Sequence, residues 1–353
     1  MLPVFLDCDT GIDDSVALAY LMAVTADPGR EETLVGVACT GGNVPTKQVM
    51  RNVLGWLTLG QQDNIPVSLG SPHPIAGTLM TCEDTHGPAG VGNAELPQIA
   101  LPDSSQDAAE HWIEQSLRYP GQLIGIVIGP TTSLARAIRR DPTLPSRLAS
   151  LTIMGGSLFH RGNTLPTTEW NVAVDPEALQ IVLDACRENS LIPCLAPLDA
   201  TEQVEMHPHH LEEITRASGG SRIVKQLGNA LEYYFAFHAQ DGLGYLAHLH
   251  DPFVVAHALT GRFAKRTRLP VAVELVGTLT RGQVVADPLG RWGKAPNVDV
   301  LTEAAPEEFF AHLNATLSVW AKGLSAGCSG GQAASEHPCG YVPPTASREE
   351  TTP

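Results

Sequence analysis

The sequence predicts an α/β fold with a mostly parallel central sheet flanked by helices, on three observations. Short apolar runs recur along the first two-thirds of the chain and end near Gly, Pro, Asp or Thr. Stretches of helical period lie between them. The runs show no alternation of apolar and polar residues, which is the pattern of strands buried on both faces.

Taken in chain order, Val4–Leu6 predicts the first strand and Ser15–Thr25 the first helix. Leu34–Ala38, Val67–Leu69, Leu123–Ile128, Leu151–Met154 and Leu191–Leu195 read as further strands. Lys47–Leu59, Ala108–Leu117, Ser133–Arg139 and Glu177–Asp184 are the intervening helices. This rhythm fits right-handed crossovers, and such sheets bind ligands beyond the carboxyl ends of their strands. Leu211–His238 reads as one or two helices that do not follow a strand, hence as a helical cap region over the core. Val254–Leu259 is helical, Val271–Val276 and Gln283–Val285 resemble strands, and Pro306–Leu324 a closing helix. No internal repeat or linker is visible. The economical division is one domain over 1–324 and a mobile tail over 325–353, rich in Gly, Ser, Pro, Thr and Glu.

The 353 residues include 22 basic and 38 acidic side chains, a formal charge of −16, and 43% are hydrophobic. A large core is therefore affordable. The acid excess argues against a nucleic-acid polymer and against an anionic membrane surface, both of which are bound by Lys/Arg patches. It is compatible with metal sites and small neutral or cationic ligands. Seven cysteines without a CxxC pair suggest buried reduced thiols rather than a zinc cluster or disulfide framework. The longest aliphatic stretch, Leu123–Ile128, is far short of a membrane span. Met1 runs into Pro3-Val4-Phe5-Leu6-Asp7, too short and too acidic for a signal peptide, so a soluble cytoplasmic protein is expected.

The segment Asp7-Cys8-Asp9-Thr10-Gly11-Ile12-Asp13-Asp14 carries the most information. Its four carboxylates follow the first strand and would repel one another unless a cation is shared. Acids at a helix N-terminus cap free N–H groups, which accounts for Asp13 or Asp14 but not for Asp7 and Asp9 on the incoming side. An all-oxygen ligand set points to a hard cation, Ca²⁺ or Mg²⁺. A second cluster is His250-Asp251-Pro252, where Pro252 suits a first helical turn and Asp251 its N-cap. In a third, Glu169 and Asn171 lie in a long polar loop after the strand ending at Met154. A fourth, Gly129-Pro130-Thr131-Thr132, again lies at the carboxyl end of a strand.

Together these segments resemble the inosine–uridine-preferring nucleoside hydrolase family. The matching stretches are DCDTGIDD at 7–14, GGN at 41–43, HG at 86–87, GPTTSLA at 129–135, MGG at 154–156, GN at 162–163, EWNVAVDPEA at 169–178, LDAT at 198–201, HDP at 250–252 and TRGQ at 280–283. They stand in the family's order. The resemblance implies the nucleoside hydrolase fold, one Ca²⁺ at the base of the pocket, and hydrolysis of ribonucleosides to ribose and free base. It implies a metal held by Asp9, Asp14, Asp251 and the carbonyl of Thr132. Asp13, Asn43 and Asn171 would bind the ribose 2′- and 3′-hydroxyls with Asp251, while Asn163 and Glu169 would grip its 5′ side. His250 would face the leaving base with His86 nearby. Asp9 would be the general base toward a Ca²⁺-bound water, and His250 the proton donor to the base. The family is often oligomeric, and no interface is legible in this chain.

Three positions depart from the family pattern: Thr10 for a usual proline, Ser133 for a frequent asparagine and Trp170 for a frequent phenylalanine. Tyr233, Tyr234, Phe235, Phe237 and His238 read as helix core or an oligomer face rather than a wall around the nucleobase, although the cap could contribute residues there. Two other readings compete. A haloacid-dehalogenase-type phosphatase also begins Asp-x-Asp, but Gly11 stands where it expects Thr or Val, and Asp13-Asp14 would go unexplained. A calcium-dependent nucleoside- or sugar-binding module would keep the metal and lack the general base.

Overall fold

The computed structural model describes residues 1–102 and 104–329. Its strands are β1 (Leu2–Cys8), β2 (Glu32–Cys39), β3 (Val67–Leu69), β4 (Leu123–Val127), β5 (Leu148–Met154), β6 (Cys194–Ala196), β7 (Glu205–Met206), β8 (Ala247–His248), β9 (Ala264–Leu269), β10 (Val271–Val273), β11 (Val284–Ala286) and β12 (Val298–Ala304). The helices are α1 (Ile12–Ala26), α2 (Thr46–Leu59), α3 (Glu83–His86), α4 (Ala108–Arg118), α5 (Thr132–Arg140), α6 (Trp170–Val174), α7 (Pro176–Glu188), α8 (Leu198–Thr201), α9 (Pro208–Ala217), α10 (Arg222–Gln240), α11 (His250–Thr260) and α12 (Pro306–Ser329).

Eight strands form one sheet in the order β3-β2-β1-β4-β5-β6-β12-β9. All neighbours are parallel except the β12–β9 edge pair. Side chains along β1 alternate between two cores: Val4, Leu6 and Cys8 enter one, and Phe5 the other. The first core is closed by α1, α2, α11 and α12, through residues such as Val16, Trp56, Phe253 and Leu313. The second is closed by α4, α5 and α7, through Trp112, Leu134 and Leu179. Both faces of the sheet are thus covered, as continuous apolar strands require.

The expected strands and helices are present, and the fold class is the one the sequence predicted. Four strands were missed: β7 and β8, which at two residues each are too short to carry a pattern, and β9 and β12. β12 mixes Asp299 and Glu303 into its apolar run, and β9 exposes Lys265, Arg266, Thr267 and Arg268, as an antiparallel edge strand can. The cap is two helices, α9 and α10, separated at Gly219 and Gly220, both with positive φ. The closing helix reaches Ser329, and residues 330–353 of the expected tail lie outside the described residues.

Strand order reverses between β1 and β4. The chain lays β2 and β3 on one side of β1, then returns to place β4 on the other. The crevice beyond these two carboxyl ends is the switch point where open α/β sheets bind ligands. Asp9 follows β1 there, and Gly129–Thr132 follows β4.

Candidate active site

A cavity of about 410 Å³ opens at that switch point. Of the residues singled out in the sequence, Asp9, Asp13, Asn43, His86, Asn163, Glu169, Asn171, His250 and Asp251 line it. Asp14 and Thr132 lie behind this lining, both buried.

The floor is acidic. One oxygen from each of Asp13, Asp14 and Asp251 lies within 4.8 Å of the others, and all three side chains are buried. Asp13 and Asp14 occupy the first turn of α1. Asp14 does act as a cap, accepting the Gly11 N–H at 2.7 Å and the Asp9 N–H at 3.2 Å. Asp251 corrects an expectation: the N-cap of α11 is Leu249, and Asp251 sits inside the first turn with its carboxylate at the floor.

Asp9 is placed by backbone. Its Oδ2 accepts the Asn43 N–H at 2.8 Å, while its buried Oδ1 has no hydrogen-bond partner. Glycine is required on both sides: a Cβ on Gly42 would lie 2.1 Å from Oδ2, and one on Gly129 2.9 Å from Oδ1. The glycines of GGN and GPTT therefore let two loops close on one carboxylate. Thr10 adopts φ +31, a value that the ring of proline excludes. The departure from the family's proline thus goes with a left-handed residue in the turn, not with a merely looser one.

Asp7 stands apart from this cluster. Its carboxylate accepts the Trp112 indole N–H at 2.8 Å and the Thr40 hydroxyl at 2.5 Å, and burial pushes its pKa up to about 7 despite both bonds. Burial is also the first cause that raises Asp9, Asp13, Asp14 and Asp251, and mutual repulsion adds to it for Asp9, Asp13 and Asp251. Four neighbouring carboxylates with one orphaned oxygen fit a bound cation, and the all-oxygen donors fit a hard one.

Polar residues brace the floor. The Asn43 amide donates to Asp14 Oδ2 at 3.1 Å and its carbonyl faces the Cys82 thiol at 3.2 Å. The Asn171 amide donates to the carbonyl of Ile128 at 3.0 Å, just past the end of β4. Glu169 and Asn171 belong not to a long loop but to the start of α6. Glu169 is its N-cap, and its carboxylate accepts from Asn171, Val172 and Gly156 N–H groups at 2.7, 3.1 and 2.9 Å. Asn163 Oδ1 accepts the Trp170 N–H at 3.0 Å. The Thr132 hydroxyl donates to Asp175 Oδ2 at 2.7 Å, which ties the start of α5 to the N-cap of α7.

The opposite wall is aromatic and imidazole-rich. Tyr234, Phe237 and His238 of α10 line the cavity with His86, His248 and His250, while Phe235 packs into the core. The expectation of helix core holds for Phe235 and for Tyr234, which packs in the core and also lines the cavity; Phe237 and His238 line the cavity because a helix i, i+4 face is turned toward the site by the cap. His86 Nδ1 accepts the Ile12 N–H at 3.1 Å, so Nε2 bears the proton. Burial, then nearby histidines, lowers His86 to about 3 and His250 well below the ordinary range. His250 Nδ1 meets the Thr201 hydroxyl at 2.8 Å. The sequence also missed His248, Arg161 and Glu202 at this end. Each lies outside the chemistry of a local motif, and only the neighbourhood of HDP could have drawn attention to His248.

The sequence model of the inosine-uridine preferring nucleoside hydrolase family matches residues 4–311. The chain belongs to this family.

Its relatives span its length. A pyrimidine-specific ribonucleoside hydrolase, RihA, of Salmonella paratyphi B is 30% identical over 91% of this chain and 99% of its own. The RihA of Salmonella gallinarum is 32% identical with the same coverage. Among solved structures, a purine-preferring ribonucleoside hydrolase from Gardnerella vaginalis superposes with a TM-score of 0.82 at 25% identity, covering 91% of this chain and 99% of that one. A plant nucleoside hydrolase gives 0.81 at 26%, covering 90% and 98%. The chain is a ribonucleoside hydrolase, an enzyme that cleaves the N-glycosidic bond of ribonucleosides. The phosphatase and the non-catalytic binding module are thereby set aside. No helix among the described residues is long and apolar enough to cross a membrane.

Proposed function

We propose that the floor holds Ca²⁺ through Asp9, Asp14, Asp251 and the Thr132 carbonyl, and that Asp9 is the general base of hydrolysis. The orphaned, buried Oδ1 of Asp9 carries this reading, since a buried carboxylate oxygen without a hydrogen-bond partner, beside three further buried acids, calls for a cation. Bound there, Ca²⁺ would supply charge compensation and acidify a coordinated water. Asp9 takes the proton of the attacking water, its Oδ2 held in place by the Asn43 N–H. Asp13, Asn43, Asn171 and Asp251 take the ribose 2′- and 3′-hydroxyls, and Asn163 and Glu169 its 5′ side. As the glycosidic bond breaks, the sugar gains oxocarbenium character, and the carboxylates beneath it stabilise that charge.

His250 and His86 serve the departing base. Burial keeps the rings neutral, so each assists as a hydrogen-bond donor through an N–H rather than as an imidazolium. For His86 the donor is Nε2, because Nδ1 is already used as an acceptor. Five buried unpaired thiols, at Cys8, Cys39, Cys82, Cys186 and Cys194, support work in a reducing cytoplasm.

The deciding experiment follows release of ribose and base from inosine, adenosine, guanosine, uridine and cytidine. It is run with Ca²⁺, after exhaustive chelation, and after re-addition of Ca²⁺ or Mg²⁺. Activity that needs Ca²⁺ and is lost in Asp9→Asn, while that variant still binds nucleoside, supports the reading. Full activity in a sample shown metal-free by elemental analysis overturns it.

A further inference from the structure

The base end of the pocket is closed by a continuous arc of rings. Centroids are 5.3 Å apart from His86 to Tyr234, 4.3 Å from Tyr234 to His238, 5.1 Å from His238 to His248 and 5.7 Å from His248 to His250. All five side chains line the cavity. Three of them, Tyr234, His238 and His248, have no part in the roles given above, and all three lie outside the short motif stretches of the sequence.

A hydrogen bond decides which nitrogen of the His238 ring carries its proton. His238 Nδ1 lies 2.9 Å from the carbonyl oxygen of Tyr234. A carbonyl only accepts, so Nδ1 bears the hydrogen and Nε2 keeps the lone pair. The Nδ1 of His248 is buried without a hydrogen-bond partner, so this ring closes the wall behind His238 and offers the cavity no fixed acceptor. Burial lowers both rings from the ordinary imidazole range, and His238 and Arg161 add to this for His248. Near neutral pH the His238 ring therefore offers its Nε2 as an acceptor on the side its backbone bond leaves free. A buried acceptor without a donor costs free energy that a matching ligand group recovers.

We propose that His238 selects the nucleobase by accepting, at Nε2, a hydrogen bond from an N–H on its edge, a ring imide N–H or an exocyclic amino group. Bases in which that nitrogen is alkylated are then poor substrates. The proposal rests on the ribonucleoside hydrolase reading of the same pocket and adds to it which base chemistry the wall recognises. His238 is a specificity residue, at the base end of the pocket and away from the acidic floor.

The test compares uridine with N3-methyluridine and inosine with 1-methylinosine on the Ca²⁺-supplemented enzyme, for the wild type and for H238F and H238Q, with H248F as a packing control. Phenylalanine keeps a ring and removes the acceptor, whereas glutamine restores a carbonyl acceptor. The wild type is expected to favour each parent nucleoside by about tenfold or more in kcat/KM. In H238F that preference falls about tenfold, H238Q recovers part of it, and H248F leaves the ratio unchanged. Any intrinsic effect of methylation on the leaving group is common to all variants and cancels in the ratio of ratios. A role confined to packing lowers kcat/KM for parent and methylated substrates equally, and an unchanged ratio in H238F overturns the proposal. Where a variant is inactive, the same ratio read from dissociation constants by calorimetry decides. A wild type that cleaves none of the four substrates fails the hydrolase reading instead, a result distinct from cleavage without discrimination.

Discussion

At the floor of the pocket Asp9, Asp13, Asp14 and Asp251 are buried together; at its wall His86, His238, His248 and His250 are buried about as deeply. Desolvation acts on both sets with the same sign, against charge, so the carboxylate pKa values rise and the imidazole values fall. The outcomes differ because the neutral forms differ in use. A neutral imidazole still presents a donor and an acceptor, so the wall keeps its function without charge. A protonated carboxyl loses a lone pair that a metal or water needs, so the floor functions only when a cation compensates its charge. One pocket thus holds two solutions to the same cost: discharge at the wall, counter-charge at the floor.

The sharpest way to break this contrast is at Asp9. Asp9→Asn is expected to lower kcat by on the order of 10²–10⁴ with KM little changed, by steady-state kinetics on inosine or uridine. A variant within a few-fold of wild type would remove Asp9 from the role of base.

Metal removal tests the floor next. Chelation is expected to abolish turnover and to lower the melting temperature, and saturating Ca²⁺, at about a hundred times its Kd, to restore about 2.7 kcal/mol. In the metal-free protein Asp13→Asn should raise the melting temperature, since it removes one of several like charges, whereas in the Ca²⁺-loaded protein it should not. Equal shifts in both states would mean that no shared cation offsets the repulsion.

Acidification probes the wall. His248 is lowered to about 4 from an ordinary value of 6.5, so the unfolded chain takes the proton first as pH falls through that window. Its contribution is therefore a loss of stability from about pH 6.5 down to 4, by up to about 3 kcal/mol. The carboxylates oppose this: groups raised on folding, such as Asp13 at about 7, contribute stability that is present at low pH and lost as pH rises toward 7. The two slopes overlap, so the His248 term is isolated by difference. The stability gap between wild type and H248Q in urea melts should shift toward H248Q at pH 4.5 relative to pH 7.5. A gap independent of pH would show that His248 is not discharged by burial.

The smallest effect is expected at Trp170. Its indole N–H is buried without a partner, so Trp170→Phe forfeits no hydrogen bond. Stability should change by less than about 1.5 kcal/mol in denaturant melts and kcat should be retained. A large loss of kcat would assign the indole a contact with substrate.

Legibility followed locality. Asp9, Asp13 and Asp14 lie in one strand-to-helix turn, and a parallel β-strand followed by a helix places such residues at a strand's carboxyl end. The floor was therefore readable apart from Asp7, which shares the motif yet points into a hydrogen-bonded niche with Trp112 and Thr40. Glu169 was read as a loop residue because α6 spans only Trp170–Val174, too short for a periodic signal. The edge strand β9 and its neighbour β12 lack the apolar run that marked the other strands, since β9 exposes four successive residues and β12 carries Asp299 and Glu303.

By itself the sequence determined the parallel core, the strand tips that carry acids, and the family. These follow from short-range periodicity and from motifs whose members are neighbours in the chain. Only the tertiary structure decided the base wall, where α10, β8, α11 and the segment ending at His86 bring five rings into one arc. A lone histidine carries no sign of its future neighbours, and its tautomer is set by which backbone carbonyl or N–H it meets after folding. That choice, made by packing, is what gives the wall its hydrogen-bonding pattern.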